Sequence, residues 1–129
     1  MELNAQVTLK ICDQSFTLDR CKLDQSNYLK RLFQDTNEAT LEKINPVMMP
    51  AMEEVMNYIQ TGEMACYWIS DEMFHNLFMI CDCFGLEEVL FQLTFQLSSY
   101  PQEFVKEMLD KFPHRKNLFD GFCGMERWL

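Results

Sequence analysis

The sequence has no basic run longer than a pair, as in Arg115-Lys116, and its 20 acidic residues outnumber 11 basic ones, giving a net charge of −9. Nucleic-acid binding draws its affinity from Lys and Arg that displace phosphate counterions. Direct DNA or RNA binding is therefore not expected. An anionic membrane surface would repel the chain as well. No apolar run approaches the ~20 residues of a membrane span. The opening MELNAQVTLK has neither the basic flank nor the apolar centre of a secretory signal. The expected location is the cytoplasm or the nucleus.

Glycine and proline are scarce, at four each. There is no Gly-rich phosphate loop and no nucleophile elbow. Six cysteines stand at 12, 21, 66, 81, 83 and 123, and no pair has the two-residue gap of a zinc knuckle. Cys81 and Cys83 fall two apart in a helical pattern and so diverge. The cysteines read as reduced, mostly buried thiols acting as small apolar residues. Of the two histidines, His75 sits on a helix without a second ligand at the spacing of a zinc pair. It reads as a partly exposed helix residue. Gly121-Phe122-Cys123-Gly124 allows a reactive thiol, but a tight turn is the simpler account of its glycines. The adjacent acids Asp71-Glu72 and Glu87-Glu88 diverge on a helix. They read as solvated first-turn charges favoured by the helix dipole. The expectation is a non-enzyme with no metal and no cofactor.

What the chain does have is apolar residues, 48% of the total, including 11 Phe and 10 Met. That is too apolar for disorder, and 129 residues suffice for one core. Val7, Leu9 and Ile11 alternate with Thr8 and Lys10; Phe16 and Leu18 repeat the pattern. Period two predicts half-buried strands. The intervening Cys12-Asp13-Gln14-Ser15 predicts a hairpin turn. Leu23, Tyr28, Leu29, Leu32 and Phe33 then recur at helical spacing. Residues 34–40 read as a polar loop, and Thr40 to Ile44 as a third strand. Pro46 and Pro50 bracket a turn.

From Ala51 onward helices dominate. Met52, Val55, Met56 and Ile59 form one apolar stripe, ended by Gly62 as a left-handed cap. Ser70 caps the next helix, whose stripe is Met73, Phe74, Leu77, Phe78, Cys81 and Phe84. Met79 and Ile80 widen that arc, which predicts a central, buried helix closed by Gly85. Leu86, Val89, Leu90, Leu93 and Leu97 predict a further helix. The piece FQLTFQL also alternates like a strand, but the helical period runs through it. Phe91 and Phe95 form a second stripe off that helix's main face. Pro101 suits a first turn, and Phe104, Val105, Met108, Leu109 and Phe112 give the last helix an apolar face. Pro113 ends it. The tail mixes charges with Leu118, Phe119, Phe122 and Trp128. Early strands followed by packed helices make an α+β domain.

This order resembles the BTB/POZ domain. The resemblance is carried by Phe16, Arg20, Leu23, Ser26, Tyr28, Leu32 and Phe33, then by Tyr58, Ile59, Thr61 and Gly62 in MNYIQTGEM, then by LFMICDCFGLEEVL. It covers about residues 6–98. It implies a hairpin and a third strand packed on a cluster of helices, with 1–98 as the domain and 99–129 as a C-terminal helical extension. Asp19 stands where the family has histidine, Gln6 where it has an acid, and Gln60 where it has tyrosine. The family's dimer-forming helix precedes the first strand, and with six residues before Val7 it is expected to be missing. Arg20 and Ser26 are expected to fix the chain's path into the first helix, an architectural role.

The resemblance implies a protein–protein interaction module. Many relatives recruit a cullin scaffold into a ubiquitin ligase through an apolar residue, any residue and Glu; Met52-Glu53-Glu54 holds that place. A flexible Met fills an apolar groove and a carboxylate adds orientation. The competing account is a core methionine beside a solvated glutamate. Phe91, Phe95 and Phe104 are the other expected partner-binding residues, although 101–112 packing on its own domain is an equal alternative. The second functional class is a self-associating transcriptional or architectural scaffold, a homo-oligomer without ubiquitin chemistry.

Overall fold

A computed structural model describes residues 2–64 and 70–119. The Gly121-Phe122-Cys123-Gly124 loop and Trp128 lie outside the described residues.

The opening alternation forms β1 (Gln6–Ile11) and β2 (Gln14–Asp19), an antiparallel hairpin pairing Val7 with Leu18 and Leu9 with Phe16. Val7, Leu9, Ile11 and Leu18 are buried on one face. The turn is shorter than the sequence suggests. Only Cys12 and Asp13 lie between the strands, with Cys12 at φ 54°, while Gln14 and Ser15 join the ladder.

The third strand is displaced from its expected place. It is β3 (Glu38–Leu41), and it runs parallel to β1, with Thr8 opposite Glu38 and Ile11 opposite Leu41. The sheet order is β2-β1-β3. Thr40 to Ile44 cannot continue as a strand because Lys43 turns into the left-handed region at φ 65°. The segment read as a polar loop reaches into the strand because Glu38 faces outward, where it pairs with Lys10. An edge strand needs only one apolar side, supplied here by Ala39 and Leu41.

The first helical stretch is two elements. A 3-10 turn, Arg20–Gln25, ends at Ser26, which is extended (φ −129°, ψ 111°). Helix α1 (Asn27–Leu32) starts there, with the Ser26 hydroxyl accepting the Leu29 N–H at 3.1 Å. Leu23, Leu29 and Phe33 still reach the core.

Helix α2 (Met49–Thr61) begins before the expected Ala51 and holds Pro50 in its first turn, where the missing N–H costs nothing. Gly62, at φ 80°, caps it and donates to the Tyr58 carbonyl at 2.7 Å. Helix α3 (Asp71–Phe84) opens on Ser70, whose hydroxyl accepts the Met73 N–H at 3.1 Å, and closes on Gly85 at φ 71°. Its Phe74, Leu77, Phe78 and Cys81 are fully enclosed. Each such Phe contributes about 3 kcal/mol of apolar burial. The ambiguous FQLTFQL stretch lies in α4 (Glu87–Gln96) and the 3-10 turn after it, with Leu86, Val89, Leu90, Leu93 and Leu97 inward.

Helix α5 (Gln102–Lys111) lays its apolar face on the same core. Phe104 meets Phe74 edge-on at 5.7 Å, Phe112 meets Phe78 at 4.7 Å, and Phe119 meets Phe78 at 5.7 Å. The rings of α3 are thus shared between the N-terminal elements and the C-terminal segment.

Candidate functional site

The join that follows β2 is architectural. Arg20 donates to the carbonyls of Asn4 (2.7 Å), Phe33 (2.6 Å) and Thr36 (3.2 Å) and to the Asn37 side chain (2.7 Å). One guanidinium therefore ties the N-terminal segment, the end of α1 and the approach to β3 together. Its rigid fork suits several acceptors at once. Ser26 is wholly buried and donates to the Phe84 carbonyl at 2.5 Å while capping α1. It locks the start of α1 to the end of α3.

Gln6 and Gln60 converge on Asp19. Gln60 accepts the Asp19 N–H at 3.1 Å and donates to its carboxylate at 2.7 Å; Gln6 donates to the same carboxylate at 3.2 Å. The Gln6 and Gln60 hydrogen bonds hold the Asp19 carboxyl below its usual range, with Lys22 adding to them and partial burial opposing. This set fastens the hairpin to α2.

A second polar cluster fixes the C-terminal segment. Asp82, largely enclosed at the end of α3, accepts from Arg115 Nε at 2.7 Å and meets His114 Nε2 at 2.8 Å. Arg115 also reaches Glu87 at 2.6 Å. Burial lowers the Arg115 pKa, but the bonds to Glu87 and Asp82 outweigh it and hold it above its ordinary value. In the sequence Arg115 belongs only to a short basic pair, and Glu87 reads as a solvated first-turn charge. No local pattern links residues 28 and 33 positions apart in the chain.

The five expected contact residues do not form one surface. Met52 is 2% exposed, on the inward stripe of α2. Phe104 is 8% exposed, within the aromatic cluster between α3 and α5. In this conformation neither offers itself to a partner. Glu54 is half-buried, and its Oε2 is enclosed with no hydrogen-bond partner among the described residues. Phe91 and Phe95 face solvent, 53% and 47% exposed, and contact each other edge to face at 4.8 Å. They are one helical turn apart on the outer side of α4, opposite Leu90, Leu93 and Leu97.

Little else suggests chemistry. Among the described residues no group of three or more His, Cys, Asp or Glu is placed to hold a metal ion. Burial pushes the Cys81 thiol up to about 12, so it supplies no thiolate near neutrality. Cys83, like Cys12 and Cys21, is exposed, so of the described cysteines Cys81 alone fits the expected buried thiol; partial desolvation, then the Asp82 charge, raises the Cys83 thiol as well. His75 is partly buried beside Phe112, its ring nitrogen near the Asn76 side chain. A shallow hollow lies at the start of α4, lined by Gln25, Tyr58, Leu86, Glu88 and Val89. Within the described residues, no helix is long and apolar enough to cross a membrane.

No protein-family model matches this sequence, and no curated protein matches it. Solved structures do. The BTB domain of zebrafish PATZ1 aligns over 73% of this chain and 75% of its own, at a TM-score of 0.59 and 17% identity. The BTB (Tramtrack and Bric a brac) domain of human gigaxonin aligns over 69% and 74%, at 0.53 and 16% identity. A hairpin, a parallel third strand and helices stacked on a central α3 are therefore the BTB/POZ-like α+β fold.

Proposed function

We propose that this chain is a protein–protein interaction module that performs no chemistry of its own. The observation that carries this is the Phe91–Phe95 pair, two large rings held against one another in solvent on an otherwise well-packed helix. Aromatic side chains are enriched at the centres of protein interfaces because they bring large area at small entropic cost.

The finer reading is an adaptor that recruits a cullin scaffold into a ubiquitin ligase. Glu54 supports it, since unlike Met52 it is only half-buried and its carboxylate has an oxygen with no hydrogen-bond partner among the described residues. Met52 lies in the core, so the apolar share of such an interface falls to other residues. The test is calorimetric titration with a cullin N-terminal domain, repeated with Glu54→Lys and with Phe91→Ser/Phe95→Ser. Binding by the parent that weakens at least tenfold in either variant is expected. A parent that does not bind removes the cullin partner.

The second reading, a self-associating scaffold, is favoured by the same exposed rings, which two copies could cover mutually. Sedimentation at rising concentration decides it; a mass that stays monomeric throughout discards self-association.

A further inference from the structure

Resting on the interaction-module reading, the geometry points to a specific kind of occupant for the outer face of α4: a segment of another protein carrying two apolar side chains and, about two helical turns away, a Lys or Arg. The apolar side chains would cover Phe91 and Phe95. The cation would settle at Glu88, in the hollow beside Tyr58.

Three observations select this chemistry. First, the outer arc of α4 has a fixed order. At 100° per residue, Phe91, Phe95 and Glu88 fall within one 60° sector, at 40°, 80° and 100° from Glu87. Glu88 and Phe95 are then about 10 Å apart along the axis, at 1.5 Å per residue. An apolar patch with an acid at one end asks for a ligand with the reverse arrangement.

Second, Glu88 has no ion pair among the described residues, yet it is not an isolated surface charge. It shares a concave wall with Gln25, Tyr58, Leu86 and Val89. Its neighbour Glu87 is already engaged by Arg115 at 2.6 Å. The chain's own guanidinium therefore shows which group the acidic end of α4 accepts, and Glu88 is the equivalent acid left without one.

Third, charge argues against a second copy. Each chain carries a net −9, and the outer arc of α4 holds Glu88, unpaired among the described residues, with no basic residue within the helix. Bringing two such faces together opposes like charges, whereas a basic segment relieves them.

The test uses two fluorescent amphipathic peptides with the same apolar residues. One carries Lys at the charged position and the other carries Glu. Anisotropy is followed against the full chain at low and moderate salt. The Lys peptide is expected to bind at least tenfold tighter than the Glu peptide, and to weaken as salt rises. Phe91→Ser/Phe95→Ser should reduce its binding tenfold or more. Glu88→Lys should invert the preference between the peptides. Circular dichroism confirms that each variant keeps its fold, which these exposed positions should allow.

Equal binding of both peptides, or an unchanged preference in Glu88→Lys, overturns the inference. Dimerisation of the parent that Phe91→Ser/Phe95→Ser abolishes also overturns it, because the occupant is then a second copy. The cullin titration separates failure here from failure of the wider reading. If cullin binds while the two peptides bind equally or not at all, this face is refuted and the module reading stands. If neither peptide nor cullin binds and the chain stays monomeric, both fall.

Discussion

Replacing Ser26 with alanine tests whether a buried cap differs from an exposed one. The Ser26 hydroxyl has two tasks at zero exposure: it accepts the Leu29 N–H and donates to the Phe84 carbonyl. Loss of an N-cap costs about 1 kcal/mol. Leaving buried polar groups without partners adds about 1–3 kcal/mol, because water cannot enter to replace the hydroxyl. The sum is about 2–4 kcal/mol, or about 8–16 °C in Tm for a chain of this size. Ser70 provides the internal control. It caps α3 in the same way, through Met73 N at 3.1 Å, but is exposed. Ser70→Ala should cost only about 1 kcal/mol, since solvent can satisfy the freed N–H. Urea unfolding followed by far-UV circular dichroism measures both, with the m-value expected unchanged. If Ser26→Ala costs no more than Ser70→Ala, the lock between α1 and α3 does not hold the fold as argued.

Three other outcomes follow from the polar clusters. Arg20→Ala should lose about 3 kcal/mol, because four acceptors lose a charged donor; Arg20→Lys should recover less than half, as an ammonium cannot span that fork. The lowered Asp19 pKa means the folded state resists protonating this carboxyl. Its contribution is present above the ordinary value near 3.8 and disappears as pH falls through the lower folded value. The urea midpoint of the parent should therefore drop more steeply between about pH 5 and 2 than that of Asp19→Asn; parallel curves would show the contrary. Arg115→Ala should cost about 2 kcal/mol, and in hydrogen exchange it should lose protection across 102–119 while α3 keeps its own; uniform loss would mean the Asp82 cluster is not a local fastening.

Local periodicity determined most of this fold. Alternation at 7–11 and 16–18 could bury its apolar residues only as a hairpin. The stripes of α2, α3 and α4 could do so only as helices, and Gly62 and Gly85 stop their helices because each takes a left-handed φ that other residues resist. The exposed Phe pair was legible too, since Phe91 and Phe95 fall off the stripe that faces the core. The inward placement of Met52 is legible from its own stripe, the account that competes with the short-motif reading.

What only the tertiary structure decided are the meetings between distant residues. β3 exists where it does because β1 offers a free edge, not because residues 38–41 announce a strand. Arg20 finds carbonyls from three segments, Asp19 finds Gln6 and Gln60, and Asp82 finds the C-terminal segment. Whether α5 folds back or reaches for a partner depended on whether Phe74 and Phe78 were already covered. They were not, and Phe104, Phe112 and Phe119 cover them. The physical reason is one of range. Side-chain periodicity acts over a few residues along the chain, whereas hydrogen bonds and ring contacts act over a few ångströms in space, and only folding converts the one into the other.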